Sequence, residues 1–263
     1  MSSASPPTLS ELVPRDQLGP KQKIIHFVRH AQGFHNVFPM GQRAMIHDPS
    51  CHDAKLTEHG IQQCDELQRK SSALRPELVV ASPLTRTLQT AERCFGPQRK
   101  ASGAKLLALE LVRETVNYYC DGRRSLTVIA KDLGFEGVVD FSECTSDHDE
   151  IWAAYERKLG PHETHQGLRE TADLHALHAR AVAAVAWIGS RPEREIVVVS
   201  HAAFLHHLFG FGPAGENGDL AALPACFEYA AGSKVRGGAT DLGMHMRSYF
   251  GNCEMKSVVC TWP

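Results

Sequence analysis

Lys23-Ile24-Ile25-His26-Phe27-Val28-Arg29-His30-Ala31-Gln32-Gly33-Phe34-His35-Asn36 reads as a buried strand that ends abruptly in charge. Ile24, Ile25, Phe27 and Val28 are β-branched or aromatic, and the run is short for a helix. A permanent cation and a titratable imidazole stand at its carboxyl end, where open α/β sheets bind their ligands. Taken alone, the pair could equally be a surface Arg and His after a strand. The decision rests on whether other segments bring matching groups to the same edge.

Three further segments do. Leu78-Val79-Val80-Ala81 is a second buried strand, and Ser82-Pro83 after it has the form of an N-cap followed by proline at the first helical position. That start places Arg86 in the first turn, where the helix dipole favours an anion. Leu106 to Val112 is a third apolar run and ends in Arg113-Glu114. Glu195 to Ser200 is the clearest strand; it ends at His201, and Ala202 opens a helix. Helices are expected from Thr57, over Leu126–Leu133, around Trp152 and Tyr155, and over Thr171–Ile188. Strands alternating with helices predict an α/β fold, a three-layer α/β/α sandwich with a mostly parallel central sheet. Residues 1–22, rich in Ser and Pro, are expected to be a flexible tail, with 23–263 a single domain. The long stretch from Ala31 to Lys55 is expected to be a functional loop, with an insertion around 40–52, and 210–225 a Gly/Pro-rich loop. Asn252 to Trp262 could be an edge strand able to pair with a second chain, so a monomer or a homodimer is expected.

The 263 residues are 43% hydrophobic and 22% charged, with a net charge of -2. That balance is ordinary for a soluble protein and gives no overall basic field for nucleic acid or membrane, so any anion site must be local. No signal peptide or membrane-spanning stretch is evident. The eight cysteines form no CxxC pair, which suggests reduced thiols in a cytoplasmic or nuclear setting. His175 with His178, or His206 with His207, lack a convincing third and fourth metal ligand, so surface or core histidines are expected and no metal is assigned.

Arg29, His30, Arg86, Glu114 and His201 are a coherent chemical set. Guanidiniums bind phosphate bidentately and stay charged. A neutral imidazole can attack phosphorus, and nearby arginines would keep it neutral. A second imidazole can donate to oxygens where charge develops, and a carboxylic acid can protonate the leaving oxygen and then activate water. The cations do the work of a metal, so no cofactor is called for.

The motifs resemble those of the histidine phosphatase superfamily, in its phosphoglycerate-mutase-like branch. Arg29 to Asn36 resembles the family's first motif. Asp53-Ala54-Lys55-Leu56-Thr57-Glu58-His59-Gly60 with Gln63 is similar to its D-x-x-L-T-x-x-G-x-x-Q helix start, and Ser82 to Ala91 to its second motif. Arg113-Glu114 and Ser200-His201 are similar to the acid and second-histidine motifs, and Cys120-Asp121-Gly122-Arg123-Arg124-Ser125 resembles plant and fungal members. The match runs over most of 23–260. It implies that His30 is the phosphorylated nucleophile, that Arg29, Arg86 and His201 form the phosphate pocket, that Glu114 donates the proton, and that Asn36 adds a hydrogen bond near the phosphate. Ala31 and Ala202 stand where the family commonly has glycine. Glu110 competes with Glu114 for the acid role, and its place in an apolar run favours a structural one.

The expected activity is metal-independent hydrolysis of a small phosphorylated metabolite. A phosphoglycerate mutase and a non-catalytic binder on the same fold are the alternatives. Phe34, Tyr118, Tyr119 and Phe204 suggest a leaving group less polar than a sugar acid, with Phe204 also suited to the core. Phe34 and His35 share the loop most able to choose that group. Arg123 and Arg124 could bind an acidic substrate or simply solvate a helix start.

Overall fold

The computed structural model describes residues 5–37, 48–165, 167–212 and 218–263. Among them, eight strands form one sheet. In chain order these are β1 (Thr8–Ser10), β2 (Gln22–Arg29), β3 (Leu78–Ala81), β4 (Lys105–Leu109), β5 (Val139–Glu143), β6 (Glu195–Ser200), β7 (Glu228–Tyr229) and β8 (Met255–Thr261). The helices are α1 (Glu58–Lys70), α2 (Thr85–Ser102), α3 (Leu126–Leu133), α4 (Glu150–Leu159), α5 (Leu174–Ser190), α6 (Ala202–Gly210), α7 (Gly218–Ala221) and α8 (Leu242–Arg247). The insertion expected around 40–52 lies largely outside the described residues, as do 213–217 of the expected loop at 210–225.

The sheet order is β5-β4-β3-β6-β2-β8-β1-β7. From β5 to β2 every pairing is parallel, and β8 runs antiparallel to both β2 and β1. The chain passes from β2 over to β3, moves outward to β5, and returns through β6 into the gap between them. That return brings three carboxyl ends, those of β2, β6 and β3, side by side.

Both faces of β2, β3, β4 and β6 are buried along most of their length, which is why they read as apolar runs, whereas β5 at the end of the sheet is polar and partly exposed. Ile25, Phe27, Leu78, Val80, Ile196 and Val198 point into a layer with Leu177, Ala181 and Val185 of α5 and Phe204 and Leu208 of α6. Val28, Val79, Ala81, Val197 and Val199 point the other way, onto Cys64 and Leu67 of α1 and Leu88, Ala91 and Phe95 of α2. The side-chain period of two thus builds two cores on one sheet, and the architecture is the expected three-layer sandwich. At α1 the expected cap forms: the Thr57 hydroxyl accepts from Gly60 N at 3.0 Å.

Four local expectations are corrected. Residues 1–22 are not wholly a tail, because Thr8–Ser10 pairs with β8 and Leu9 is completely buried. Its partner comes from the far end of the chain, so a three-residue alternation gave no local signal. The strand in Asn252–Trp262 is not the edge of the sheet, since β8 is flanked by β2 along its length and by β1 at Val259–Thr261. The second helix begins at Thr85 and not at Ser82. Ser82 Oγ lies 2.9 Å from His201 Nε2, while Asp53, distant in sequence, accepts from Thr85 N at 2.7 Å. The third apolar run leaves the sheet at Leu109 and continues as a 3-10 turn, Glu110–Val112.

Leu9→Ala removes a fully buried side chain from the layer under β1 and should destabilise the protein by about 2–5 kcal/mol. Urea unfolding monitored by fluorescence measures it; an unchanged midpoint would mean that β1 does not belong to the folded sheet in solution.

Candidate active site

His30 directly follows β2 and His201 directly follows β6. The two strands are in register, Val28 against Val199, so the two rings emerge together, with centroids 5.0 Å apart. The His35 ring lies 5.3 Å from that of His30. The backbone at His30 is held on both sides. Its N–H donates to Ser200 O at 2.9 Å, and its carbonyl accepts from Cys253 N and Asn252 Nδ2, each at 3.2 Å. The next residue is held as well, Ala31 N donating to the Thr90 hydroxyl at 3.0 Å.

The loop after His30 is clamped by α1. Gln32 N donates to Gln63 Oε1 at 2.9 Å, Thr57 N donates to Gln32 O at 3.0 Å, and the Thr57 hydroxyl lies 2.8 Å from Gln32 Oε1. Gly60 packs so closely that a β-carbon there would stand 2.1 Å from the Gln32 carbonyl oxygen. The T-x-x-G-x-x-Q spacing is therefore the means of fixing the nucleophile loop.

His30 is 1% exposed. Its Nδ1 lies 2.7 Å from the Ala31 carbonyl oxygen, which can only accept, so Nδ1 carries the proton and Nε2 keeps its lone pair. Burial above all, then the charges of Arg86, His35 and Arg29, holds the ring well below the ordinary imidazole range. His35 and His201 are pushed the same way, by burial first and by Arg86 next. Three neutral imidazoles thus share a cationic environment.

Arg86 is fully buried in the first turn of α2, where its Nη1 donates to Cys120 O at 2.7 Å and its Nη2 lies 3.5 Å from Asp121 Oδ1. Arg29 donates from Nη1 to Phe250 O at 2.8 Å and lies 5.3 Å from the Tyr249 ring centre. The Nε of each arginine, Nδ1 of His35 and Nδ1 of His201 are buried with no hydrogen-bond partner among the described residues. Two unsatisfied buried guanidinium N–H donors, with unpartnered imidazole nitrogens beside them at the ends of adjacent strands, are the chemistry of an anion site.

Glu114 sits against the start of α6. Its Oε1 accepts from Phe204 N and Thr115 N, both at 2.9 Å, and its Oε2 from Ala203 N at 3.3 Å. Ala202, buried, is the first residue of that helix. The Glu114 charge bears on Arg29 and on Asp121, so the carboxylate belongs to the same neighbourhood. Asn36 turns inward on its own loop, its Oδ1 accepting from Gly33 N at 3.0 Å and from Asn252 Nδ2 at 3.4 Å. Phe34 and Tyr118 are 52% and 38% exposed.

Arg123 and Arg124, expected as substrate contacts, are scaffold. Arg123 is 4% exposed; its Nε donates to Glu110 Oε1 at 2.8 Å and its other nitrogens to the carbonyls of Arg124, Ser146, Asp147 and His148. Arg124 binds Asp53, Asp132 and the Thr85 hydroxyl. Glu110 is structural, as its apolar setting suggested: it holds Arg123 and Arg113, and Arg113 also takes both oxygens of Asp149 at 2.8 Å.

Two residues were missed. Asp121 is buried beside Arg86, and burial, then the Glu114 charge, pushes its carboxyl up to about 7. The quoted Cys120–Ser125 motif contained it, but only the fold shows which arginine it meets. Tyr249, 62% exposed over Arg29, lies in a segment without periodicity. Among the described residues, no group of three metal-ligating side chains includes a site residue. His178 and His207 bond backbone carbonyls, those of Pro224 and Ala203. No helix among the described residues is long and apolar enough to cross a membrane.

The buried histidines make stability depend on pH in a predictable direction. Below pH 6.5 the unfolded chain protonates histidines that the fold keeps neutral, so stability falls with pH by up to about 1.4 kcal/mol per unit for each. Asp121 opposes this between its ordinary carboxyl value and about 7, because the fold holds a proton that the unfolded chain has lost. Urea unfolding at pH 7.0, 6.0 and 5.0 should show the decline, and Asp121→Asn should steepen it; a flat profile would contradict the neutral histidines.

The family model of the histidine phosphatase superfamily (branch 1) matches residues 25–131. A phosphoglycerate mutase-like protein of Arabidopsis thaliana is 33% identical over 267 aligned positions, covering 90% of this chain and 84% of its own length. Phosphoglycerate mutase-like protein 1 of the same plant is 30% identical, covering 90% and 80%. Among solved structures, a mycobacterial glucosyl-3-phosphoglycerate phosphatase aligns with a TM-score of 0.46 at 17% identity, over 90% of each chain. The chain belongs to the histidine phosphatase superfamily.

Proposed function

We propose that the protein is a metal-independent phosphatase that hydrolyses a phosphomonoester of a small metabolite through a phosphohistidine at His30. The observation that carries this reading is the state of His30: buried, neutral, and hydrogen-bonded through Nδ1 so that Nε2 keeps its lone pair among guanidiniums. In the first step Nε2 attacks phosphorus, the N–P bond forms, and the bond to the leaving oxygen breaks. The Ala31 carbonyl supports the positive charge that develops on the ring. Arg29, Arg86, His35 and His201 receive the non-bridging oxygens. Glu114 enters this step protonated, as the substrate complex requires of a general acid, and gives its proton to the leaving oxygen. In the second step water attacks phosphorus, Glu114 takes the water proton, and the N–P bond breaks.

The neutralisation of Arg123 and Arg124 within the scaffold favours hydrolysis over mutase chemistry. Neither guanidinium is left to hold the carboxylate of a sugar acid. The exposed rings of Phe34, Tyr118 and Tyr249 instead offer apolar surface to a leaving group.

Release of p-nitrophenol from p-nitrophenyl phosphate should proceed in EDTA, and His30→Ala should lower it by about a thousandfold or more. Equal rates for the two proteins would leave a phosphate binder on this fold. With 3-phosphoglycerate and 2,3-bisphosphoglycerate, release of inorganic phosphate without 2-phosphoglycerate supports the phosphatase. Since protonation removes the attacking lone pair, and the His30 value is depressed, kcat/KM should hold through pH 6.5 and fall only well below it.

The proton donor is separable by leaving group. p-Nitrophenolate leaves without help, whereas an alkoxide requires the proton. Glu114→Gln should therefore slow an alkyl phosphate by about 100-fold or more and p-nitrophenyl phosphate far less. Asp121→Asn should slow both alike by loosening Arg86. The reverse pattern would assign the acid role to Asp121.

A further inference from the structure

Directly behind the His30 peptide lies a cluster that the phosphoryl chemistry does not use. Cys64 is on α1, Cys94 is on α2, and Cys253 is in the turn entering β8. Their sulphur atoms all lie within 4.8 Å of one another, and those of Cys94 and Cys253 are 3.8 Å apart. The surrounding layer, with Leu67, Leu88 and Ala91, is apolar. A lone buried cysteine there would be a small hydrophobe; three from distant segments converging on one point are a ligand set.

The backbone adds an independent observation. Cys253 is held at φ +59°, a left-handed conformation that side chains other than Asn and Asp seldom keep. Glycine or asparagine would sit there without strain. Such strain persists where the position has a use, and the Cys253 side chain is the one that completes the three.

The spacing identifies the ligand class. Thiolates about 2.3 Å from a common ion stand about 4 Å from one another, close to the separation observed. Sulphurs in a disulfide are about 2 Å apart. Structural zinc takes four ligands, and among the described residues no His, Asp or Glu joins these three. Soft thiolates select Cu(I), whose closed shell accepts three. Arg93 carries a positive charge near both Cys64 and Cys94.

We propose that Cys64, Cys94 and Cys253 form a three-thiolate site for a soft monovalent cation of the Cu(I) type, and that its occupancy is felt at His30. On loading, three S–H groups release their protons to solvent and three metal–sulphur bonds form. Copper arrives already as Cu(I), so no electron moves. The link to His30 is short. Cys253 N donates to the His30 carbonyl at 3.2 Å, and Thr90, one turn before Cys94 on α2, accepts from Ala31 N at 3.0 Å.

The full-length protein, reduced and desalted under argon, is titrated with Cu(I) against bicinchoninate. One tightly held equivalent is expected, with X-ray absorption showing three sulphur neighbours at about 2.3 Å. Cys64→Ser, Cys94→Ser and Cys253→Ser should each weaken uptake by about a hundredfold or more, while Cys226→Ser and Cys260→Ser, on the opposite face of the sheet, keep it. Cys64→Ala serves where a serine variant does not fold. In 15N-histidine-labelled protein, loading should shift the His30 ring signals and leave those of His178 in place. Three results would overturn the proposal: no stoichiometric uptake, uptake unchanged in the triad variants, or oxidised glutathione yielding a Cys94–Cys253 disulfide in a protein that does not retain copper. Unmoved His30 signals would overturn the coupling. None of these readouts requires phosphatase activity, so the two readings fail separately.

Discussion

Two guanidiniums and three imidazoles are pressed together at the carboxyl ends of adjacent parallel strands, and they cannot all be charged. Arg29 and Arg86 retain their protons in any protein environment, so the histidines give theirs up. Burial works in the same direction, because a charged imidazole there would lose its solvent. The nucleophile is thus kept neutral by its place in the fold, and no catalytic base has to remove its proton. The cost is a group of buried donors whose proper partner is an anion.

Most of the remaining polar structure serves to hold that crowd in place. Asp121 stands beside Arg86 and Asp53 caps the helix that carries it. Asp53 also takes Arg124, and Glu110 and Asp149 take Arg113 and Arg123. Removing one member of such a buried pair leaves an uncompensated charge, typically at about 3–5 kcal/mol. The loops after β3 and β4 are therefore as tightly specified as the core, although neither is regular. Free nitrogens are the criterion: Arg29 and Arg86 each keep a buried Nε without a partner among the described residues, whereas every side-chain nitrogen of Arg123 and Arg124 is engaged; Arg113 also keeps such an Nε, but both of its Nη atoms are taken by Asp149.

This criterion also marks the limit of what the sequence could show. Arg29, His30, Arg86 and His201 were legible because each follows an apolar run or a helix start, and parallel strands in register bring such ends together. Arg123 and Arg124 were not, since their roles depend on Glu110, Asp53 and three consecutive carbonyls at 146–148. β1 was hidden because three residues carry no period, and β8 looked like an edge because its second neighbour is β1. The start of α2 was misplaced by the same kind of distant partner: Asp53 supplies the cap, which frees Ser82 to meet His201.

The turn 251–254 shows how far this dependence on distant partners extends. The carbonyl of His30 has no strand partner of its own at the end of β2, and a buried carbonyl left unpaired would be costly. Cys253 N and Asn252 Nδ2 supply the bonds, and Cys253 does so with its backbone in the left-handed region. The same conformation sends its side chain towards α1 and α2. One strained residue therefore serves two purposes: its backbone fixes the nucleophile, and its sulphur joins two others in the layer beneath. A change that relaxed the strain by altering the turn would release the His30 carbonyl as well, so the position of the nucleophile and the convergence of the three thiols stand on the same backbone.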